Sequence, residues 1–336
     1  MRSELWFPDT PSRQLGDRED GSEPGALALV ESPAQLLNVI ELSQHEDDLA
    51  GLKIAVLAPA AGRLIRTQLR SMMGLARDAG HAVSWYEPRL GGMAVARTVR
   101  ALAGELSGVQ RLIVGDPYSG VIQVIISVTK LSEVTIVDDG TAPLEFARQW
   151  VAGEHLARWN EVATPGQRRQ LAQLARDQIS GTVRRRLSPD SGCRLRLFTC
   201  MQVDVPRVRT IHNDFSWVRA RHPAPQLKSG ADLVGSSLVE LGVVKADSYL
   251  DGVENLITLY KADRYFAHRE EADWKLDLIE RIGIKVVRPA LPLEIIARRG
   301  PTGRTVVSFP STVVHTLPIV LAGSGVEVVV CDIPKG

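Results

Sequence analysis

Between Ala26 and Cys331 the chain alternates short apolar or β-branched runs with segments of helical spacing, and no other feature limits its fold as strongly. The pattern predicts strands at 26–30, 52–58, 81–85, 111–114 and 133–137, separated by helices at 34–42, 64–79, 95–106 and 121–128. Ser32-Pro33 supplies a capping hydroxyl followed by a proline at the first helical position, and Gly80 stands just past the second helix. Residues 141–187 read as helical, and 193–201 return to strand character. Strands that alternate with helices form a mostly parallel sheet with helices on both faces.

The alternation then restarts. Strands are expected at 231–235, 264–267, 284–288, 305–309 and 326–331, and helices at 253–260, 271–282, 293–299 and 311–321, with a short one after Ser237. With 336 residues the chain exceeds the size of one core, and two domains of ~150 residues are the expectation. The polar, proline-containing stretch 219–230 is the candidate linker. The fold class is therefore α/β: two Rossmann-like doubly wound domains, 25–222 and 223–336, with an interdomain cleft as the default ligand site. Residues 1–24, rich in Pro, Gly, Ser, Asp and Arg without periodicity, read as a flexible lead-in.

Forty basic residues against 39 acidic ones give no electrostatic case for nucleic-acid binding. Cys193, Cys200 and Cys331 lack CxxC spacing and read as reduced, mostly buried thiols, and no signal peptide or membrane-spanning run is expected, which points to the cytoplasm. Neither GxGxxG nor GxxxxGK[ST] occurs, which disfavours dehydrogenases and P-loop NTPases. No metal-ligand cluster is evident, and no cofactor is expected. Arg184-Arg185-Arg186 reads as a solvated face or as a contact with an anionic acceptor or the inner membrane surface.

The candidate chemistry begins at the 133–137 strand, which ends in Asp138-Asp139-Gly140. Carboxylates at the carboxyl edge of a sheet stand where α/β proteins bind ligands, so one of them is a candidate general base. Asp-Gly is also an ordinary turn signal, and Asp139 could cap the next helix. Asp116, in the loop 115–120, shares that edge, as a ligand contact or as a plain turn residue. In the second half Gly235-Ser236, His268, Glu294, Ser311 and Thr312 stand at strand ends or helix starts. Each also has a structural reading: a glycine-serine turn, a hydrogen-bonded histidine, a glutamate at a helix's positive end, or helix capping.

In this order the motifs resemble bacterial sialyltransferases of the polysialyltransferase and lipooligosaccharide sialyltransferase families, which have the two-domain GT-B architecture. The resemblance is carried by Asp138-Asp139-Gly140, by His268 with Arg269 in place of the family's proline, by Pro292-Leu293-Glu294 and by Ser311-Thr312. It implies inverting, metal-independent transfer of sialic acid from CMP-sialic acid to a hydroxyl of a glycan or lipid-linked glycan. Asp138 would be the base and Asp139 its orienting partner, His268 would stabilise the leaving phosphate, Glu294 would hold the ribose, and Ser311 with Thr312 would bind the phosphate. Gly235 and Ser236 would form a further nucleotide-side turn. Two alternatives stay open: a glycosyltransferase using another nucleotide-activated sugar, and a catalytically degenerate nucleotide- or glycan-binding protein.

Overall fold

The computed structural model describes residues 25–60, 62–90, 93–140, 142–157 and 167–332. The expected lead-in 1–24 and part of the helical stretch 141–187 lie outside them. The first half runs β1 (Gly25–Val30), α1 (Pro33–His45), β2 (Lys53–Leu57), α2 (Arg63–Asp78), β3 (Ala82–Tyr86), α3 (Ala94–Leu106), β4 (Val109–Val114), α4 (Gly120–Val128) and β5 (Glu133–Val137). It continues through α5 (Ala142–Ala152), α6 (Gln167–Leu187), β6 (Arg194–Thr199), β7 (Arg209–His212) and α7 (Ser216–Arg221). The strands form one seven-stranded parallel sheet in the order β3-β2-β1-β4-β5-β6-β7.

The second half comprises β8 (Leu227–Val234), α8 (Ala246–Tyr260), β9 (Ala262–Phe266), α9 (Asp273–Ile282), β10 (Lys285–Val287), α10 (Leu293–Arg299), β11 (Thr302–Ser308), α11 (Val313–Val320) and β12 (Glu327–Val330). Its five strands are also parallel, in the order β10-β9-β8-β11-β12. Both sheets are doubly wound: the order reverses between β1 and β4 in the first and between β8 and β11 in the second.

Alternation along β1 explains the layers. Ala28 and Val30 point into the core beneath α1 and α2, while Leu27 and Leu29 point into the opposite core with α4 and the β4 and β5 side chains. The first core also takes in Leu291, Ile295 and Val320 of the second half, so the two units pack as one body there. Helix α1 lies at this junction, which is why even Gln35, Asn38 and Glu41 are buried on it. Glu41 accepts hydrogen bonds from the backbone N–H groups of Trp217 (2.8 Å) and Val218 (3.0 Å), tying α7 to α1.

Several expected boundaries move. Much of the stretch read as a linker is ordered: α7 packs on α10, Arg298 Nε donates to the His222 carbonyl (3.0 Å), and β8 opens at Leu227 rather than Ala231. The early part of β8 carries Lys228, Ser229 and Gly230, polar residues that hide a strand from a hydrophobicity reading. Strand β7 was not expected because its four residues are mostly exposed at a sheet edge. The short helix expected after Ser237 is a run of turns. No helix among the described residues is long and apolar enough to cross a membrane.

Candidate functional site

The carboxyl edges of the two sheets face each other. From the first come the start of α1 and the loop after β5; from the second come Gly235 after β8, His268 and Arg269 after β9, and the starts of α10 and α11. They enclose a cavity of about 150 Å³ whose polar lining is Asp139, His268, Arg269, Glu294, Ser311 and Thr312, with Gln68 at one side. Its apolar walls come from Val234, Phe266, Leu291, Leu293 and Val313. A second cavity of about 310 Å³ is lined by Glu31, Ser32, Gln35, Arg89 and Glu270, among others. Asp139 and Arg269 line both cavities, so they mark the waist between them.

The adjacent aspartates have different surroundings. Asp138 is 5% exposed and reaches neither cavity. Its Oδ2 accepts the Cys200 N–H (2.9 Å), while its Oδ1 is buried without a hydrogen-bond partner. Burial pushes its carboxyl up to about 6, with the charge of Asp139 adding and hydrogen bonds from Thr199 and Cys200 opposing. Asp139 is the one on the cleft wall. Ser32 Oγ donates to its Oδ1 (3.0 Å) and Gln35 Nε2 to its Oδ2 (2.8 Å), so the first turn of α1 fixes the carboxylate. Ser32 also accepts the Gln35 N–H as the cap of α1 (3.2 Å), which is how one hydroxyl serves the helix and the acid together.

On the opposite wall His268 is neutral at pH 7. Burial first, then the charges of Arg269 and Lys275, lower its pKa to about 4. Its Nδ1 accepts the Glu270 N–H (3.3 Å), which leaves Nε2 as the N–H donor. Glu294 lines the cavity while its Oε1 accepts from Thr316 Oγ1 (2.7 Å). Ser311 shares a hydroxyl contact with Ser308 (3.3 Å), and no side chain caps α11, whose Val314 and His315 N–H groups are taken by the Ser311 and Thr312 carbonyls (3.3 and 3.0 Å), while Ser311, Thr312 and Val313 line the cavity.

Gly235 reaches the cavity because it has no side chain: a Cβ there would lie 2.2 Å from Glu271 Oε2 and 2.5 Å from the Tyr265 hydroxyl. Ser236 turns inward, and its N–H donates to the Tyr249 hydroxyl (3.0 Å). Asp116 is buried within its turn, accepts the Tyr118 N–H (2.9 Å) and lines neither cavity. The cleft thus brings together Asp139, Gly140, Gly235, His268, Glu294, Ser311 and Thr312, and leaves Asp138, Asp116 and Ser236 behind its walls.

A cavity of about 770 Å³ lies at the opposite, amino end of the first sheet. Its buried wall is a network in which Arg111 and Arg196 pair with Glu46 and Glu133. These charges neutralise one another, and ligands of doubly wound sheets bind at the other edge.

No protein-family model matches the chain, and no curated protein matches it. Solved structures do. A Listeria monocytogenes protein provisionally assigned as a UDP-N-acetylglucosamine 2-epimerase superposes with a TM-score of 0.50 at 10% identity, over 92% of this chain and 79% of that one. More distant are Staphylococcus aureus MnaA with UDP (TM-score 0.44, 9% identity, 84% and 73% of the two chains) and Acinetobacter baumannii MurG (0.37, 10%, 92% and 86%). At such identities the likeness is one of fold: two doubly wound domains in a GT-B-like arrangement.

The expected membership of the sialyltransferase families is corrected: no family model matches, and the Listeria fold neighbour is not a sialyltransferase, which leaves CMP-sialic acid as donor without support. The physical reason lies in the motifs. An acid at a strand end, a hydroxyl at a helix start and a glutamate in a first helical turn are what any pair of doubly wound sheets places along a cleft, in this order.

Sequence reasoning missed Ser32 and Gln35, which hold Asp139, because the Ser-Pro cap already accounted for that stretch. It also passed over Glu31, Arg89 and Gln68, which line the cavities and stand in no recognisable motif.

Proposed function

We propose that this protein is an enzyme acting on a nucleotide-activated sugar other than CMP-sialic acid, with the nucleotide in the smaller cavity and the sugar in the larger. The observation that carries this is Asp139, a carboxylate held from behind by Ser32 and Gln35 and presented in the wall common to both cavities. The smaller cavity has apolar walls for a base, Glu294 for ribose hydroxyls, and the Ser311 and Thr312 side chains at the positive end of α11 for a phosphate. The larger cavity holds the carboxylates of Glu31, Asp139 and Glu270 against the cations of Arg89 and Arg269. Glu31 and Arg89 pair with each other, and the remaining carboxylates are acceptors suited to the hydroxyls of a sugar.

For glycosyl transfer, Asp139 takes the proton of the acceptor hydroxyl as its oxygen bonds to the anomeric carbon. The bond from that carbon to the phosphate oxygen breaks, and its electron pair leaves with the nucleotide. Neutral His268, with an N–H on Nε2, supplies a hydrogen bond to the departing oxygen without a proton to give away.

The test is titration of the protein with uridine, cytidine, guanosine and thymidine nucleotides, followed by incubation with the matching nucleotide sugars. Selective binding of one base, weakened by Glu294→Ala, with turnover abolished by Asp139→Asn, is the expected result. Binding of none would overturn the proposal.

Epimerisation of a nucleotide sugar is the second reading, favoured by the name of the Listeria protein, whose fold this chain shares over most of its length. The two separate by product: transfer requires an acceptor and frees the nucleotide, whereas epimerisation needs no acceptor and returns an isomer of the nucleotide sugar.

A further inference from the structure

Arg269 takes the position next to His268, at the waist where both cavities meet. It enters no ion pair and no hydrogen bond among the described residues, and its Nε is buried without a partner. Leaving a buried donor unmade costs about 1–3 kcal/mol; the Nε of Arg196 is also unpartnered, but its terminal nitrogens pair with Glu46 and Glu133, whereas no nitrogen of Arg269 has such a partner among the described residues. The other arginine of the larger cavity is committed: Arg89 donates to Glu31 Oε1 (2.8 Å) and to the Ala58 carbonyl (3.1 Å). Three carboxylates line the same cavity as Arg269, those of Glu31, Asp139 and Glu270, and none of them pairs with it.

A planar fork held open in this way is matched to a phosphate, which accepts two parallel N–H bonds. In the nucleotide-sugar reading, the hydroxyls of Ser311 and Thr312 at the start of α11 are one candidate station for an anion in the cleft. Arg269 makes a second, on the side of the sugar cavity.

We propose that Arg269 binds the sugar-bearing phosphate of a nucleoside diphosphate sugar, the α11 start holding the phosphate nearer the nucleoside. This rests on the nucleotide-sugar reading and narrows it to diphosphate-linked donors. As the glycosyl carbon–oxygen bond breaks, the electron pair passes to that phosphate, and the guanidinium offsets the added charge without exchanging a proton. His268 is left as a neutral hydrogen-bond donor beside it.

The test is calorimetric titration of the full chain and of its Arg269→Gln and Arg269→Lys variants with uridine, UMP and UDP, and with the corresponding series of any other base the unaltered protein prefers. The unaltered protein should bind the diphosphate more tightly than the monophosphate. Arg269→Gln should lose roughly ten- to a hundredfold of diphosphate affinity, the scale of a charge-assisted contact, and leave nucleoside and monophosphate binding unchanged. Arg269→Lys should recover part of the loss. A Gln variant that binds the diphosphate as well as the unaltered protein does, or that loses all three ligands equally, would refute the assignment while leaving the nucleotide-sugar reading in place. Failure of the unaltered protein to bind any nucleotide would remove both. Unfolding midpoints of the variants, expected to match the parent, show that the differences arise in the site.

Discussion

Gly140 and Thr312 meet across the cleft: a Cβ on Gly140 would lie 3.2 Å from Thr312 Cγ2, which makes this a point where the two halves touch beside the site. Gly140 also holds φ at +69°, the left-handed region where a side chain is strained. Gly140→Ala should therefore lower stability by about 1–2 kcal/mol through backbone strain and add a steric push on the contact. Thr312→Ser removes the facing methyl and should relieve only the second part. A double-mutant cycle by urea unfolding separates them. A coupling energy indistinguishable from zero would mean that Gly140 and Thr312 do not touch in solution.

The two aspartates should respond differently to the same substitution. Asp139→Asn keeps the size of the side chain but removes the base from the cleft wall, and should cut turnover by about 10² or more with an unchanged unfolding midpoint. Asp138→Asn alters a buried carboxyl with one unpaired oxygen, so its effect should fall on stability, with turnover within about threefold of the parent. Equal loss of turnover in both would show that the pair acts as a unit rather than as one reacting group and one structural group.

Much of the architecture was legible because parallel strands buried on both faces are written as continuous apolar runs: KIAVL, EVTIV and RLIV stand out against their surroundings. Edge elements were not. Strand β7 reads RTIH, and the opening of β8 reads LKSG; both are polar where one side meets solvent. At the site, strand ends and helix starts could be placed from turn chemistry, which located Asp139, His268, Glu294 and Ser311. What no pattern gives is which of two adjacent carboxylates looks outward. That depends on Cys200 and Thr199, some sixty residues along the chain, taking the Asp138 side chain inward while Ser32 and Gln35 take Asp139. The family resemblance failed for the same reason: short motifs report local capping needs, whereas the cavity wall is assembled from charges such as Glu31, Arg89 and Arg269 that converge from separate loops.

Glu41 should give the folded state a pH dependence in the neutral range. Burial pushes its carboxyl from 4.5 up to about 7, against the two N–H groups of Trp217 and Val218. A carboxyl raised on folding is most favourable to the native state below its unfolded pKa, and this contribution is lost as pH rises through the folded pKa. Between about pH 4.5 and 7 its share of stability should therefore fall by on the order of a few kcal/mol. Glu41→Gln cannot titrate. Chemical unfolding across that range should show a shallower decline for the variant, even though its amide satisfies the two N–H donors less well and lowers stability at every pH. Parallel curves for the two proteins would show that Glu41 does not titrate in this interval.

Lys275 supports the cleft from below, and its loss should be costly in a diagnostic way. It is fully buried at the foot of α9, where its Nζ donates to the Ser236 carbonyl (2.8 Å) and to Glu240 Oε2 (2.9 Å), and pairs with Glu271 Oε1 (2.9 Å) over the Tyr249 ring. Glu271 in turn accepts from the Tyr265 hydroxyl and the His268 N–H, both at 2.6 Å, so one buried cation anchors the turns that carry Gly235 and His268. Replacing it with methionine keeps the bulk and leaves Glu271 as an uncompensated buried acid, which should cost about 3–5 kcal/mol. Adding Glu271→Gln removes that acid, so the double variant should be more stable than Lys275→Met alone. Urea unfolding of the two single variants and the double one decides it. A second substitution that merely adds its own penalty would mean that the stabilisation lies in packing around Tyr249 rather than in the charge pair.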